Sequence, residues 1–302
     1  MTSAERVSAP GKLFLFGEYG VLGEGRAIVA AVDRRAVGFR TSHQNASPVV
    51  RATLRRADED FGLDIDTSAF WAPGSPRRKL GLGSSAAVAV VTAALAKGVS
   101  RESLSIALAG HRDAQEGRGS GLDVLVSHVG GVIAAGRPAE PDFDDPEFER
   151  MELSPPIGLF VSVVYMGQSA LTSELVRAAR AGGSFPRIAE KLADVAERAI
   201  SSWRGGRVTE LLDLVNQHHA LLEELTRESG APIVTPALHE LARLAQSRGA
   251  AAKPSGAGGG DIATIWSGES SIGQELAREL HLEIVPLAIE PIGVRIELEG
   301  SR

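Results

Sequence analysis

The sequence predicts a fold that mixes strands and helices, built as two domains or as one bilobed unit. Its 302 residues exceed the ~100–200 residues of a typical domain. Runs rich in β-branched residues recur in the first half of the chain. Apolar residues at helical spacing dominate roughly a hundred residues of the second half. These observations favour a protein whose sheet lies mainly in its first half and whose helices lie mainly in its second.

The predicted sheet comes from short β-like runs separated by turn-forming segments. They cover residues 12–16, 27–32, 35–40, 49–54 and 130–135. Together they predict a largely antiparallel sheet.

The rest of the chain divides at an acidic, proline-broken segment, residues 138–149, which we interpret as a solvated loop. It is the candidate boundary between a domain of residues 1–150 and a second of residues 151–302. Further strands are expected at 157–166 and 294–298. The predicted helices are 86–96, 104–114, 188–199, 208–225, 238–244 and 271–280.

The composition is that of a globular protein, with 43% hydrophobic residues, 23% charged residues and a net charge of −6. The acidic balance argues against a nucleic-acid partner, because such binders usually carry a basic surplus or stripe. No membrane partner is expected, since the longest nearly apolar run, 86–96, is shorter than the ~18–20 residues that cross a bilayer. We expect a small-molecule substrate and a monomer or homodimer.

The chain contains no cysteine, which excludes disulfides, zinc–thiolate sites and cysteine nucleophiles. Residues 1–7 include Glu5 and no apolar core segment, so no signal peptide is predicted. The predicted location is therefore cytoplasmic.

The first candidate binding segment, residues 78–87, has the sequence Arg-Lys-Leu-Gly-Leu-Gly-Ser-Ser-Ala-Ala. Gly81 and Gly83 allow a tight turn whose N–H groups converge on an anion. The alanine-rich run that follows predicts a helix that begins near Ser84 and Ser85, where phosphate is favoured and a hydroxyl can ligand magnesium. A helix that merely follows a Gly/Ser turn is the alternative. The spacing matches neither the ordinary P-loop nor the dinucleotide-binding fingerprint.

Two further segments place charged side chains beside glycines. Lys12 and Glu18 lie at opposite ends of the first predicted strand, either to serve a ligand or as a solvated strand end. Asp123 follows three glycines in five residues, which can present its carboxylate to a ligand. Alternatively, Asp123 is the N-cap of a helix that begins at Val124.

A second glycine-rich segment lies near the end of the chain. Residues 256–260 contain four glycines, between Lys253-Pro-Ser255 and Asp261. The glycines allow close backbone approach to a ligand, and Lys253 and Ser255 offer a cation and a hydroxyl. A flexible linker is a poor explanation, because β-like sequence follows at once.

Two neighbouring histidines, His218 and His219, lie on a predicted helix. The sequence offers no third ligand at metal spacing. Both are predicted to be structural or solvent-facing.

Three of these segments, residues 10–18, 81–87 and 253–261, resemble in order the three motifs of the GHMP small-molecule kinases. They are spread over nearly the whole chain. Within that superfamily the likeness is greatest to the phosphomevalonate kinases, on Tyr19 and Asp261, and next to the mevalonate kinases.

This resemblance implies a two-lobed α+β GHMP kinase fold, with a ribosomal-protein-S5-like N-terminal lobe and a ferredoxin-like C-terminal lobe. ATP and Mg²⁺ would bind with the acceptor in the cleft between them. The implied catalytic residues are Asp123 and Lys12, and the implied magnesium ligands are Ser85 and Glu116. The implied ATP-binding residues are Lys79, Gly81, Leu82, Gly83, Ser84, Ser85 and Ala86. The implied substrate-binding residues are Glu18, Tyr19, Lys253, Ser255, Gly256, Ala257, Gly258 and Gly259.

The sequence leaves three functions open. The first is ATP-dependent phosphorylation of 5-phosphomevalonate, for which a phosphate-bearing acceptor requires extra cations. The second is phosphorylation of mevalonate, with Asp123 orienting the hydroxyl or accepting its proton. The third is a decarboxylase or a ligand sensor of the same fold, although the presence of both Lys12 and Asp123 argues against a sensor without catalytic groups. The candidate cations for a phosphate acceptor are Arg77, Arg78, Lys79, Arg118 and Lys253.

Overall fold

Two larger antiparallel sheets, a small sheet of two short strands and the packed helices form the described part of the protein. The computed structural model describes residues 5–42, 47–72, 78–117, 119–137, 149–167 and 172–297. The strands are β1 (Arg6–Phe16), β2 (Arg26–Thr41), β3 (Gly62–Asp66), β4 (Trp71–Ala72), β5 (Arg78–Lys79), β6 (Val132–Gly136), β7 (Arg150–Leu153), β8 (Phe160–Tyr165), β9 (Ala251–Pro254), β10 (Ile262–Ser267), β11 (Glu283–Ile284) and β12 (Arg295–Glu297). The helices are α1 (Pro48–Arg56), α2 (Ser84–Lys97), α3 (Arg101–Ala114), α4 (Leu122–Val129), α5 (Thr172–Ala181), α6 (Phe185–Arg204), α7 (Val208–Ser229), α8 (Pro236–Ser247) and α9 (Ile272–Glu279). This architecture confirms the predicted α+β, two-lobed fold.

The first sheet has the strand order β12-β1-β2-β6-β7, with β3 also paired to β2. Its neighbouring strands are antiparallel, as the sequence predicts. The two β-like runs at 27–32 and 35–40 are one long strand, β2, which follows β1 through register shifts near Pro10 and Phe16. Helices α2 and α4 pack against this sheet, so the glycine-rich turn before α2 lies beside β1.

The second sheet has the order β11-β8-β10-β9, and α7, α8 and α9 pack on it. Three aromatic rings connect the two sheets. Trp266 of β10 meets Phe16 of β1 edge-on, with the ring centroids 5.2 Å apart, and the centroid of Trp203 of α6 lies 6.1 Å from that of Trp266. These residues belong to one continuous apolar core, which holds residues 10–18 and 253–261 close together.

The strand predicted at 49–54 is wrong, because these residues belong to α1. Pro48 occupies the first turn of this helix, where its missing N–H and fixed φ are favourable. Val50 and Leu54 lie one turn apart and are both buried on the face that packs against α2 and α3. The β-branched residues of this run therefore fit a helix once that face has neighbours to cover it. The other predicted strands and helices are confirmed within a few residues.

Two strands from the second half of the sequence belong to the first sheet. β7 pairs with β6, and β12, close to the end of the described chain, pairs with β1. The division of the chain at residue 150 stays a prediction, and residues 138–148 of the acidic segment lie outside the described residues. No helix in the described ranges is both long and apolar enough to span a membrane.

Candidate active site

A cavity of about 430 Å³ lies where the glycine-rich turn before α2 meets the ends of α3, α4 and α5 and the loop after β9. Most of the site residues that the sequence predicts line this cavity. Those that line the cavity are Lys12, Glu18, Tyr19, Lys79, Gly81, Gly83, Ser84, Ser85, Glu116, Asp123, Gly256 and Ala257. Segments more than 200 positions apart in the chain thus share one site.

Six nominated residues do not line this cavity. They are Leu82, Ala86, Lys253, Ser255, Gly258 and Gly259. Leu82 and Ala86 are buried in the core beneath the turn, and the Ser255 hydroxyl donates to the Phe14 carbonyl at 2.9 Å. The N–H of Gly259 donates to the Ile233 carbonyl at 3.0 Å. These four residues support the walls of the cavity rather than facing it.

The turn before α2 requires glycine at two positions. Gly81 and Gly83 have φ values of 68° and 79°, in the left-handed region, and Gly83 is the N-cap of α2. A Cβ on Gly83 would lie 2.7 Å from Cγ of Lys12, and one on Gly81 would lie 2.9 Å from Asp261. The turn therefore touches both the first strand and the late glycine-rich segment. Ser84 and Ser85 open the helix with its N–H groups directed toward the cavity side.

Lys12 is the buried cation of the cavity. Its Nζ donates to the Gly81 carbonyl at 3.1 Å, and the residue is only 9% exposed. Burial lowers the pKa of Lys12, against the opposing influence of the carboxylates of Asp123, Asp261 and Glu18. An anionic ligand would favour the charged ammonium, so Lys12 is suited to bind phosphate.

Asp123 lies in the first turn of α4. Gly121, at φ 78°, is the N-cap of that helix, so the alternative in which Asp123 caps a helix starting at Val124 is wrong. The Asp123 Oδ1 atom accepts the Val124 N–H at 3.0 Å, while Oδ2 lies 3.9 Å from Nε2 of His111. The carboxylate is thus held at the helix start with one oxygen near the cavity wall.

His111 is a residue of this region that no sequence motif indicates. It is 3% exposed on α3, and its Nε2 lies 2.8 Å from the Ser85 hydroxyl and 3.1 Å from the Gln115 amide nitrogen. His111 therefore connects Ser85, a predicted magnesium ligand, with the neighbourhood of Asp123. No spacing rule points to this histidine, because its partners come from two other helices. The residues that line the cavity without having been predicted as site residues include Phe14, Gln115, Ser120, Thr172 and Ser173, together with Asp261, which the sequence places only at the end of the third motif.

Glu18 and Lys253 form a buried ion pair beneath the cavity. The Lys253 Nζ contacts Glu18 Oε1 and donates to the Pro254 carbonyl at 2.9 Å. Burial lowers the pKa of Lys253, and Glu18 opposes that effect. Because Lys253 is fully buried, its charge holds Glu18 and the adjacent loop instead of facing the cavity.

Tyr19 and the buried His218 complete the support of this region. The Tyr19 hydroxyl donates to the Ala257 carbonyl at 2.7 Å, and burial raises the pKa of Tyr19. His218 Nε2 lies 3.4 Å from the Gly17 nitrogen and 3.5 Å from Glu18 Oε2. Burial lowers the pKa of His218 well below its ordinary value, so this histidine is structural and neutral, as one of the sequence interpretations holds.

The candidate cations for a phosphate-bearing acceptor have different surroundings. Lys79 lines the cavity. Arg78 pairs with Glu283 at 2.9 Å and lies over the Tyr165 ring, 5.0 Å from its centroid. Arg77 and Arg118 lie outside the described residues. Lys12 and Lys79 are therefore the lysines that line the cavity among the residues that the structure describes.

The oxygen donors around the cavity suit magnesium. The Ser85 hydroxyl and the carboxylates of Glu116, Asp123 and Asp261 all line it. Mg²⁺ prefers hard oxygen ligands, usually one or two carboxylates together with phosphate oxygens and water. The residues present therefore fit the implied ion.

Comparisons with known proteins show the family of the chain. The chain is 31% identical to a phosphomevalonate kinase of Streptomyces sp. (strain CL190), over 86% of this chain and 90% of that protein. The chain belongs to the GHMP kinase superfamily. It is also 30% identical to a mevalonate kinase of Pyrococcus abyssi, over 98% of this chain and 96% of the relative. A scan of the sequence against protein-family models finds no match.

Solved structures show the same fold. The phosphomevalonate kinase of Streptococcus pneumoniae, in complex with phosphomevalonate and AMPPNP, superposes with a TM-score of 0.80 at 19% identity, covering 94% of this chain and 99% of the other. A galactokinase of Lactococcus lactis, complexed with galactose, gives a TM-score of 0.74 at 15% identity, with coverage of 97% and 95%. This GHMP kinase is a mevalonate-pathway kinase, and kinase relatives imply that it uses ATP.

Proposed function

We propose that this GHMP kinase transfers the terminal phosphoryl group of ATP to 5-phosphomevalonate and forms 5-diphosphomevalonate. The proposal rests on one observation. Lys12, Lys79 and the N-terminus of α2 all line the cavity that Asp123 also lines. A triphosphate and a phosphate-bearing acceptor bring several negative charges into one site, which requires such a concentration of positive charge. The 31% identical phosphomevalonate kinase supports the same acceptor.

The turn before α2 would hold the phosphates of ATP. Its N–H groups at the start of the helix favour an anion, and Ser85 with Glu116 would ligand magnesium. A bound magnesium ion would neutralise charge on the phosphoryl group in transfer.

Lys12 and Asp123 would act on the acceptor side. A phosphomonoester has a second pKa of about 6, so its attacking oxygen is already anionic at neutral pH and needs no base. Asp123 then positions the acceptor, and the buried Lys12 stabilises the charge that spreads over the transferred group. The bond between the terminal phosphorus and the bridging oxygen of ATP breaks, and ADP leaves.

Mevalonate is the second candidate acceptor. The mevalonate kinase of Pyrococcus abyssi covers nearly the whole chain at 30% identity. A hydroxyl acceptor must lose a proton, and Asp123 lies in the cavity wall where it can accept one. Under this alternative Asp123 is the general base instead of a positioning group.

The test is ADP release with ATP and Mg²⁺, measured separately with 5-phosphomevalonate, mevalonate and 5-diphosphomevalonate. We expect turnover with 5-phosphomevalonate, and a loss of at least about 100-fold in Asp123→Asn, because positioning is most of the catalysis in phosphoryl transfer. Asp64→Asn, on the exposed side of β3, is the matched control and is expected to retain full activity.

The other outcomes separate the alternatives. Turnover with mevalonate alone would establish the second candidate. Release of carbon dioxide and phosphate from 5-diphosphomevalonate would identify a decarboxylase. Ligand binding without ATP consumption would identify a sensor and contradict both kinase assignments.

A further inference from the structure

Helices α7 and α8 bring together three side chains that can bind a metal. His219 and Glu223 lie one turn apart on α7, and His239 lies on α8. The sequence shows no third ligand for the histidine pair at metal spacing, whereas the fold supplies Glu223 and His239. One ligand atom from each residue lies within 4.8 Å of the other two. His219 Nε2 is 3.5 Å from Glu223 Oε1, and His239 Nδ1 contacts the same oxygen.

His219 provides a second, independent observation. It is only 6% exposed, its Nδ1 has no hydrogen-bond partner among the described residues, and its Nε2 has only the Glu223 carboxylate beside it, at 3.5 Å. A buried polar atom without a partner costs free energy, so such atoms usually have a ligand or a hydrogen bond. Its Nε2 is directed toward the carboxylate of Glu223, and the exposed imidazole of His239 completes the group.

We propose that His219, Glu223 and His239 bind a divalent transition-metal ion, with Zn²⁺ as the reference ion. Two imidazoles and one carboxylate are a donor set that zinc uses in proteins, with water as a further ligand. Zinc–ligand distances of about 2.0–2.1 Å in a tetrahedron place ligand atoms about 3.3 Å apart, close to the 3.5 Å between His219 and Glu223. His239 is in direct contact with Glu223, so its exposed ring would move away from that oxygen when the ion binds. Imidazole nitrogens favour such ions over magnesium or calcium.

The site lies outside the cavity of the active site, since none of its three ligands lines that cavity. Its metal would join α7 to α8. The connection between these helices contains Ile233, whose carbonyl accepts the Gly259 N–H at 3.0 Å and would lie 2.3 Å from a Cβ on Gly258. The ion would therefore stabilise the pair of helices that supports the late glycine-rich segment, whichever acceptor the enzyme uses.

The test measures zinc binding to the full chain without a polyhistidine tag. The protein is stripped with a chelator and dialysed against a series of free Zn²⁺ concentrations in excess Mg²⁺, so that magnesium competes for the oxygen ligands of the cavity. We expect one equivalent of zinc in the wild type. His239→Gln and Glu223→Gln should weaken its affinity at least about 100-fold, since even groups that only orient a ligand account for 10–100-fold. His281→Gln, another exposed histidine, is the matched control and should bind as the wild type does.

Two further measurements keep the result interpretable. Circular dichroism shows whether each variant is folded, and His239 and Glu223 are exposed enough for substitution without loss of core packing. The absorption spectrum of the Co²⁺-substituted protein reports nitrogen ligation and coordination geometry. Absence of zinc from the wild type, or equal affinity in His239→Gln and the wild type, would overturn the proposal.

Discussion

At the residue scale, the Glu18–Lys253 pair shows how a charge near an active site can serve the fold. Both side chains are almost completely buried, and their contact joins the end of β1 to β9. The lysine is surrounded by its carboxylate partner, a backbone carbonyl and the face of Phe16, 6.0 Å from its ring centroid. A lysine in a glycine-rich motif is therefore not by itself a phosphate ligand.

The stability of variants tests this pair. Glu18→Gln should lower the free energy of unfolding by about 3–5 kcal/mol, because it leaves the Lys253 charge buried without its partner. Lys253→Met should have a similar effect. The double variant should lose much less than the sum of the two single variants, as measured by urea unfolding in a double-mutant cycle.

An exposed ion pair is the control for this cycle. Arg243→Gln breaks the contact with Glu240 on the surface of α8, and we expect a change below about 1 kcal/mol. Additive losses in the Glu18 and Lys253 variants would show that the two buried charges do not depend on one another.

The site also shows which residues the sequence can reveal. The glycines around Lys12 and Ser85 are detectable because a turn at a helix N-terminus has a local pattern. His111 and Thr172 have no local signal, since the packing of separate helices brings His111 to the Ser85 hydroxyl and Thr172 to the cavity wall. The family resemblance implies that Lys253 binds the substrate, whereas the structure buries it completely. Burial depends on the whole fold and gives no signal in the neighbouring residues of the chain.

At the element scale, α2 begins and ends with a glycine whose φ is positive. Gly83 at the N-cap has φ 79°, and Gly98 at the C-cap has φ 72°. A side chain on Gly83 would meet Lys12, whereas one on Gly98 would meet nothing within 4 Å. A substitution at Gly98 therefore introduces backbone strain alone, whereas a substitution at Gly83 also introduces a clash with Lys12 in the active site.

Alanine substitutions at Gly98 and Gly83 should therefore have different effects on stability and activity. Gly98 combines positive φ with extended ψ, a conformation that is almost exclusive to glycine, so Gly98→Ala should cost about 1–3 kcal/mol of stability and leave the rate of ADP release unchanged. Gly83 is left-handed helical, so Gly83→Ala should cost about 1–2 kcal/mol for the backbone and should also lower kcat/KM at least about tenfold, because it displaces Lys12. Steady-state kinetics and thermal unfolding of both variants distinguish the effects. Equal kinetics in the two variants would contradict the proposed contribution of the Gly83–Lys12 contact.

Whether the sequence predicts an element correctly depends on what decides its conformation. The sequence predicts α7 and α8 correctly because a long helix repeats its apolar spacing over several turns. Residues 49–54 are misread because a short run rich in β-branched residues carries little periodicity, and α2 and α3 decide its structure. No local sequence pattern predicts that β12 belongs to the first sheet.

At the scale of the whole molecule, stability should depend on pH through His128, at the end of α4. Burial lowers the pKa of His128 to about 4, and the nearby Arg150 adds to this effect. In the unfolded chain its pKa is about 6.5, so protons bind preferentially to unfolded protein between these values. The stability that this residue confers is present above pH 6.5 and is lost as the pH falls toward 4.

When the pH is lowered from 7.5 to 5, protonation linked to His128 should therefore reduce the free energy of unfolding by about 2 kcal/mol. Other groups titrate in the same range, so the quantity to compare is the difference between wild type and His128→Gln at each pH, from urea unfolding. That difference should shrink as the pH falls. A difference that stays constant with pH would refute the assignment.

The position of β12 has a consequence for biosynthesis. Ser8 of β1 and Glu297 of β12 are hydrogen-bonded neighbours although 289 positions separate them in the chain. On the ribosome, Ser8 is synthesised 289 positions before Glu297, so β1 is without its outer neighbour β12 during that interval. During that time one side of β1 has unpaired N–H and C=O groups, the condition under which nascent chains associate through strand edges. Synthesis of β12 is thus the step that removes this aggregation hazard.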